Sequence, residues 1–250
     1  MRVLSRKDVG SLLSMPSCID SMRSAFQALA GKTVQAPQRT VIRMQDRPGF
    51  FGSMPVYAPG YGSAAKVMTI YPENHDLGIE SHQGHILLFG EELGEPLALI
   101  EAGSITGLRT AAVSGLATDI LAGRDASTLC ILGSGVQART HTMAIRSVRE
   151  INRIRVWSRT REHAETFAQW VEAETGILPS LCATAEEAVN GANVICTVTA
   201  STEPIVQAEW LKQGCHINAV GSFTPSSREL STETVKRSKL FVDSRVSASV

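Results

Sequence analysis

The sequence predicts an α/β chain of two parts: an α+β domain over residues 1–120 and a doubly wound parallel-sheet domain over residues 121–250. Three observations carry this. Residues 128–132 form an apolar run, followed by a glycine-rich turn, a helical run and a second apolar run at 153–157. From about Ala126 onward, strand-like and helix-like patterns alternate, as a parallel sheet with helices on both faces requires. The first half instead strings several strand-like pieces together, which fits a mostly antiparallel sheet.

In the first half, Ser17 is read as the cap of a helix running through Leu29, with Ile19, Met22, Phe26 and Leu29 on one face. Strands are expected at 36–44, 49–57, 64–71, 84–89 and 96–101, with Gly94 in a hairpin turn between the last two. Ser104 is read as the cap of the next helix, whose apolar face is Ile105, Leu108, Val113, Leu116 and Ile120 and which joins the two halves. In the second half, strands are expected at 128–132, 153–157, 178–182, 193–199, 215–220 and 239–242. Helices are expected at 136–148, 161–174, 185–190, 207–212 and 230–237. No repeat or low-complexity segment is present. The strand-like 239–243 run close to Val250 predicts that a complete domain continues further.

The glycine-rich turn reads Gly133-Ser134-Gly135-Val136-Gln137-Ala138, a G-x-G-x-x-A pattern set between a strand and a helix. That context is the fingerprint of a Rossmann-type dinucleotide site. Gly133 permits the tight turn, Gly135 lets backbone approach a pyrophosphate, and Ala138 lets helix pack on strand. The helix then offers free N–H groups and the positive end of its dipole. NAD enzymes place an acid at the end of the second strand, but this chain has Ser158-Arg159-Thr160. A guanidinium between two hydroxyls suits a 2′-phosphate, so NADP(H) is favoured and NAD(H) is the alternative. An ordinary exposed loop arginine is the bland reading of Arg159.

Composition removes several classes. Lys+Arg and Asp+Glu are both 24, so no net charge argues for nucleic acid or a membrane surface. No apolar run is long enough to span a bilayer, and the N-terminus lacks a signal-peptide core. Cys18, Cys130, Cys182, Cys196 and Cys215 are scattered and odd in number, which suits small core residues in a reducing cytoplasm. C-x-x-C and H-E-x-x-H spacings are absent, so no metal is expected.

Three cations of the first half stand among apolar neighbours: Arg39, Lys66 and Arg109. Such a cation either snorkels outward or is paired with a bound group, and a carboxylate substrate would be that group. His75, Asp76, Glu80, His82 and His85 gather around the 72–85 loop, which is either solvated or a source of an acid or base. His82 is the preferred candidate because it immediately precedes a strand. Met54 lines a pocket or the core, and Trp157 and Trp210 are read as packing residues.

With these residues in hand, the chain resembles the ornithine cyclodeaminase/mu-crystallin family. The carriers are Arg39-Thr40-Val41, Gly52-Ser53-Met54-Pro55, Lys66 ahead of Tyr71, Ser81-His82, Leu87-Leu88-Phe89, Ile105-Thr106, Arg109-Thr110-Ala111-Ala112-Val113-Ser114, the glycine turn, and His216-Ile217-Asn218-Ala219-Val220-Gly221. The resemblance implies a homodimer whose first domain holds the substrate and the subunit contact, with NAD(P) on the second. It implies that Arg39, Lys66 and Arg109 hold the substrate carboxylate or lie beside its amine. It also implies that Thr110 and Thr197-Val198-Thr199 lie near the cofactor and Val220 near the nicotinamide. Family members continue well past residue 250 and return to the first domain.

One departure bears on chemistry. Cyclodeaminases and alanine dehydrogenases of the family carry an Asp two residues after the Gly of Ala-Val-Gly. In Ala219-Val220-Gly221-Ser222-Phe223-Thr224-Pro225, that place holds Phe223. Phe neither binds a substrate ammonium nor acts as a base. The pattern is similar to the family's ketimine and pyrroline-2-carboxylate reductase branch, whose substrate already contains a C=N bond. The expected function is therefore NAD(P)H-dependent reduction of a small cyclic imino acid, with Lys66 and His82 as catalytic candidates and Met54 beside the substrate. An ornithine cyclodeaminase-type lyase with bound NAD and a non-catalytic NADPH-binding protein are the alternatives.

Overall fold

The computed structural model describes residues 1–224 and 226–248, without the side chains of His75, Asp76, Val246 and Ser247. The titratable groups of His75 and Asp76, and Pro225 of the run named above, thus lie outside the described residues. The chain divides into two compact units, Met1–Thr110 and Ala111–Val250.

The first unit opens with β1 (Arg2–Leu4), α1 (Arg6–Leu12) and α2 (Met15–Ala30). It continues through β2 (Thr40–Arg43), β3 (Phe50–Ala58), β4 (Gly62–Ile70), a 3-10 turn at Pro72–Leu77, β5 (His82–Phe89) and β6 (Pro96–Glu101). The six strands form one sheet in the order β1-β6-β5-β4-β3-β2. Strands β2 to β6 are an antiparallel meander, and β1 adds in parallel to β6. Gly94, at φ +70°, sits in the β5–β6 connection as its hairpin role requires.

Two expectations shift here. Ser14, rather than Ser17, caps α2, accepting the N–H of Ser17, and a proline occupies the helix's first turn. The α1 helix was not expected from sequence, although Ser5 and Asp8 form a reciprocal capping box at its start.

Helix α3 (Ala102–Leu121) follows, and the division between units falls within it. Ser104 is not its cap. The Glu101 carboxylate accepts the N–H groups of Gly103 and Ser104 at 2.6 and 2.8 Å and the Ser104 hydroxyl at 2.6 Å. The buried side of α3 is made largely of small residues, Ala111, Ala112, Ser114 and Thr118 with Leu116, whereas Ile120 is 62% exposed. The expected apolar stripe thus ends before Ile120.

The second unit carries β7 (Thr128–Leu132), α4 (Val136–Arg146), β8 (Arg153–Trp157), α5 (Arg161–Thr175), β9 (Ser180–Leu181), α6 (Ala185–Val189) and β10 (Val194–Thr197). A 3-10 turn at Ala208–Trp210, β11 (His216–Ala219), α7 (Thr232–Arg237) and α8 (Arg245–Ala248) complete it. Its sheet is parallel throughout, ordered β11-β10-β7-β8-β9. Both faces are covered, so β7 is buried along its whole length. Leu129 and Ile131 pack with Ile145, Phe167 and Val171, while Cys130 and Leu132 pack with Ala188, Val189 and Val206. Trp157 and Trp210 pack against the second cluster, as expected. The expected helix at 207–212 is only the 3-10 turn, and residues 239–242 form no strand. Leu240, Phe241 and Val242 are exposed, so this β-prone run has no sheet to join. No described helix is long and apolar enough to cross a membrane.

Candidate functional site

Strand order in the second unit reverses at β7. Strand β8 lies on one side of it and β10 on the other, so a crevice opens at the carboxyl ends of β7 and β10. The glycine turn leaves β7 at that point. Gly133 has φ +123°, and a Cβ there would stand 2.8 Å from the Val198 carbonyl oxygen. Gly135 is the N-cap of α4, no side chain bonds the helix start, and a Cβ on it would meet nothing within 4 Å. Ala138 is fully buried where α4 meets the sheet.

Gln137 Oε1 is buried without a hydrogen-bond partner among the described residues. An open helix N-terminus and a backbone turn with no Cβ in the way fit a dinucleotide phosphate, whereas the orphaned Gln137 oxygen, an acceptor, suits a ligand group that donates. Val136 is exposed at the turn. At the end of β8, the Ser158 hydroxyl lies 3.2 Å from that of Ser134. Arg159 is exposed, and Thr160 is the N-cap of α5 with no side-chain cap bond, so its hydroxyl is not committed to the helix.

The other side of the crevice depends on a residue that sequence reading did not single out. Glu229 is 0% exposed. Its carboxylate accepts the hydroxyls of Thr197 and Thr199 and the N–H groups of Thr199 and Gly221, all at 2.7 Å. Val220 donates its N–H to the Thr197 carbonyl at 3.0 Å. Thr197, Val198, Thr199 and Val220 are thus fastened into one piece. In sequence, Glu229 looks like any loop acid, because its partners lie far along the chain.

A second buried network stiffens this unit. His141 Nδ1 donates to the Gln137 carbonyl at 2.7 Å, which leaves Nε2 to accept the Ser114 hydroxyl at 3.0 Å. Burial pulls the His141 imidazole down to about 4, so the ring is neutral. Asn218 donates to Thr118 Oγ1 at 3.0 Å and lies 3.2 Å from His216 Nε2. The His-Ile-Asn-Ala-Val-Gly motif therefore serves packing through its first residues and the crevice through its last.

In the first unit, Lys66 pairs across the ladder with Met54 on one side and Ile86 on the other, and His82 pairs with Ile70. Directly paired residues share a face, and successive pairs alternate, so Lys66, Met54 and His82 share one face of the sheet. Lys66 Nζ donates to Thr106 Oγ1 of α3 at 2.6 Å, and Thr106 donates in turn to the Ala102 carbonyl. Burial, then the positive charge of Arg109, pulls the Lys66 ammonium down to about 8, against an opposing pull from Glu101.

The His82 ring is reachable by solvent, yet surrounding protein and then the Lys66 charge hold its pKa below the ordinary value, with Glu80 opposing. Arg109 is exposed on α3, close enough in charge to reach Lys66 and Cys18. Arg39 is exposed just ahead of β2, not within the strand, at the residue before Thr40, which pairs with Ser53. Glu80 is committed to Arg6 in a bidentate pair, and His85 is exposed on the opposite sheet face. Thr110 is part-buried in α3, and Phe223 is 60% exposed after the Gly221 turn.

The sequence pattern of the ornithine cyclodeaminase/mu-crystallin family matches residues 1–249. The chain belongs to this family. Within the family, it is 42% identical over 216 residues to the ketimine reductase mu-crystallin of Mus musculus, covering 86% of this chain and 68% of the mouse protein. The structure of Thermococcus litoralis Δ1-pyrroline-2-carboxylate reductase in complex with NADH and L-proline is similar at TM-score 0.91 and 38% identity, covering 96% of this chain and 74% of that one. An archaeal alanine dehydrogenase dimer with bound NAD is similar at TM-score 0.89 and 32% identity, covering 96% and 73%.

Proposed function

We propose that this chain is an NAD(P)H-dependent reductase of cyclic imino acids, converting Δ1-pyrroline-2-carboxylate or Δ1-piperideine-2-carboxylate to L-proline or L-pipecolate. The observation that carries the reading is the part-buried Lys66 ammonium with Arg109 near it: two cations gathered in one place favour an anionic ligand. The similarity to a reductase whose structure holds NADH and L-proline supports the same chemistry.

Arg39 and Arg109 clamp the substrate carboxylate, and this orientation supplies a large part of the rate. Lys66 completes the anionic site, and Met54, on its sheet face, packs against the ring. At neutral pH, Lys66 still carries a proton while His82 is driven toward its neutral form. Lys66 is therefore the better proton donor, with His82 beside it as the orienting or relaying group. The residues that would hold the dinucleotide are Gly133, Ser134, Gly135, Val136 and Gln137 at the phosphates, Ser158, Arg159 and Thr160 at the ribose, and Thr110, Thr197, Val198, Thr199 and Val220 toward the nicotinamide. Bound there, reduced nicotinamide supplies the hydride for the imine carbon.

Arg159 with two hydroxyls favours NADP(H) over NAD(H). A homodimer is supported by the dimeric relative and by the exposed apolar side chains Ile42, Phe51 and Val67 on the other face of the first sheet. Five free thiols, four of them buried, support a cytoplasmic setting.

The test is NADPH oxidation by the purified protein on addition of Δ1-pyrroline-2-carboxylate. The expected result is imine-dependent oxidation, faster with NADPH than with NADH. A folded, cofactor-binding protein that oxidises none, and that releases ammonia from ornithine instead, would replace the reductase with the lyase.

A further inference from the structure

Each Glu229 carboxylate oxygen is fully engaged. Oε1 takes the Thr199 N–H and hydroxyl, and Oε2 takes the Thr197 hydroxyl and the Gly221 N–H. The residue's own backbone is tied as well, with its N–H on Ser222 Oγ at 3.1 Å and its carbonyl accepting Ile205 and Val206 at 2.8 and 3.1 Å. Gly221 is compelled by this arrangement, because a Cβ there would stand 2.6 Å from the carboxylate and closer still to the Thr199 carbonyl. Val198, held between the two threonines, is the residue whose carbonyl closes on Gly133.

We propose that Glu229 is a positioning residue for the dinucleotide. It locks the 197–199 segment and the Gly221 turn into the wall of the crevice that faces the Gly133 turn. The inference rests on the dinucleotide part of the proposed function. The chemistry explains why a carboxylate stands there. All four partners donate and none need accept, a demand met by an acceptor-only group. A glutamine at this position keeps the shape but brings an NH2 group against backbone N–H groups that cannot accept, so at least one bond is lost.

The experiment measures NADPH dissociation constants by the quenching of protein fluorescence, alongside thermal unfolding, for wild type, Glu229→Gln and Thr199→Val. Thr199→Val removes one hydroxyl donor and leaves the carboxylate with the Thr197 hydroxyl and the N–H groups of Thr199 and Gly221. Affinity is read well below each variant's unfolding midpoint. Glu229→Gln is expected to weaken NADPH binding roughly tenfold or more, and Thr199→Val about threefold, as the loss of hydrogen bonds to a charged acceptor implies. A lowered unfolding midpoint with unchanged affinity would make Glu229 a structural fastening only and overturn the proposal. Should Glu229→Gln not fold, Thr199→Val decides, and unchanged affinity there overturns it equally. Wild type that binds no dinucleotide would instead remove the proposed function, and this inference with it.

Discussion

Replacing Lys66 with Met should move stability and activity in opposite directions. The fold holds the Lys66 ammonium at about 8, against an ordinary 10.5, chiefly because burial strips its solvation. At 1.36 kcal/mol per pH unit, the charged form is disfavoured by at most about 3 kcal/mol. Met has comparable length and no charge, so this penalty disappears. The substitution also removes the hydrogen bond to Thr106, about 1 kcal/mol net. Thr106 itself stays satisfied, because its hydroxyl donates to the Ala102 carbonyl. K66M should therefore gain roughly 1–2 kcal/mol at neutral pH.

The folded pKa is depressed, so the unfolded chain binds more protons between about 8 and 10.5. Wild-type stability should rise with pH across that window, and K66M should not share the rise. Urea unfolding at several pH values reads both effects. Catalysis should fall about 30- to 1,000-fold in kcat/KM, corresponding to about 2–4 kcal/mol lost with a charged partner of the substrate. The reasoning is refuted if K66M unfolds more easily at neutral pH and wild-type stability is flat above pH 8.

Arg109→Ala should raise the imine KM sharply and lower kcat/KM; it should also move the alkaline limb of the pH profile upward, since Arg109 helps depress Lys66. Gly133→Ala sets a strained φ and a Cβ 2.8 Å from the Val198 carbonyl. It should cost about 2 kcal/mol or more in unfolding free energy and abolish measurable NADPH binding in a titration. Arg159→Ala should raise the KM for NADPH by about tenfold or more while leaving that for NADH nearly unchanged, read from parallel initial-rate series. Glu101→Ala uncaps α3 and should destabilise by about 1–2 kcal/mol in urea unfolding.

What could be read from sequence was what is local in the chain. The strands at 128–132 and 153–157 stand at the positions expected. The Gly133 turn carries its own signal, since strand, turn and helix are consecutive. The α2 start was misplaced at Ser17 although Pro16 marks the first turn and so points to Ser14. The α1 helix was equally signalled by Ser5 and Asp8. Glu229 was illegible for a different reason: its partners are 8 to 32 residues away, and nothing beside it hints at burial. The cation cluster was half legible. Lys66 and Arg109 stood out as charges among apolar residues, but Thr106 as the Lys66 acceptor emerges only when β4 and α3 meet, whereas Glu101, two and three residues before the N–H groups it caps, was a local signal passed over for Ser104.

The two sheets differ in when a growing chain can complete them. Strands β2 to β5 each pair with the next strand synthesised, so this ribbon can zip as it leaves the ribosome, and β1 joins only when Ala98 arrives opposite Arg2. In the parallel sheet, β7 waits for β10, whose Val194 lies opposite Leu129, and the far wall of the crevice waits longer, until Glu229 has been made. A nascent chain therefore carries the Gly133 turn for about a hundred residues before it can grip a nucleotide, and ligand can assist folding only once Glu229 has been made.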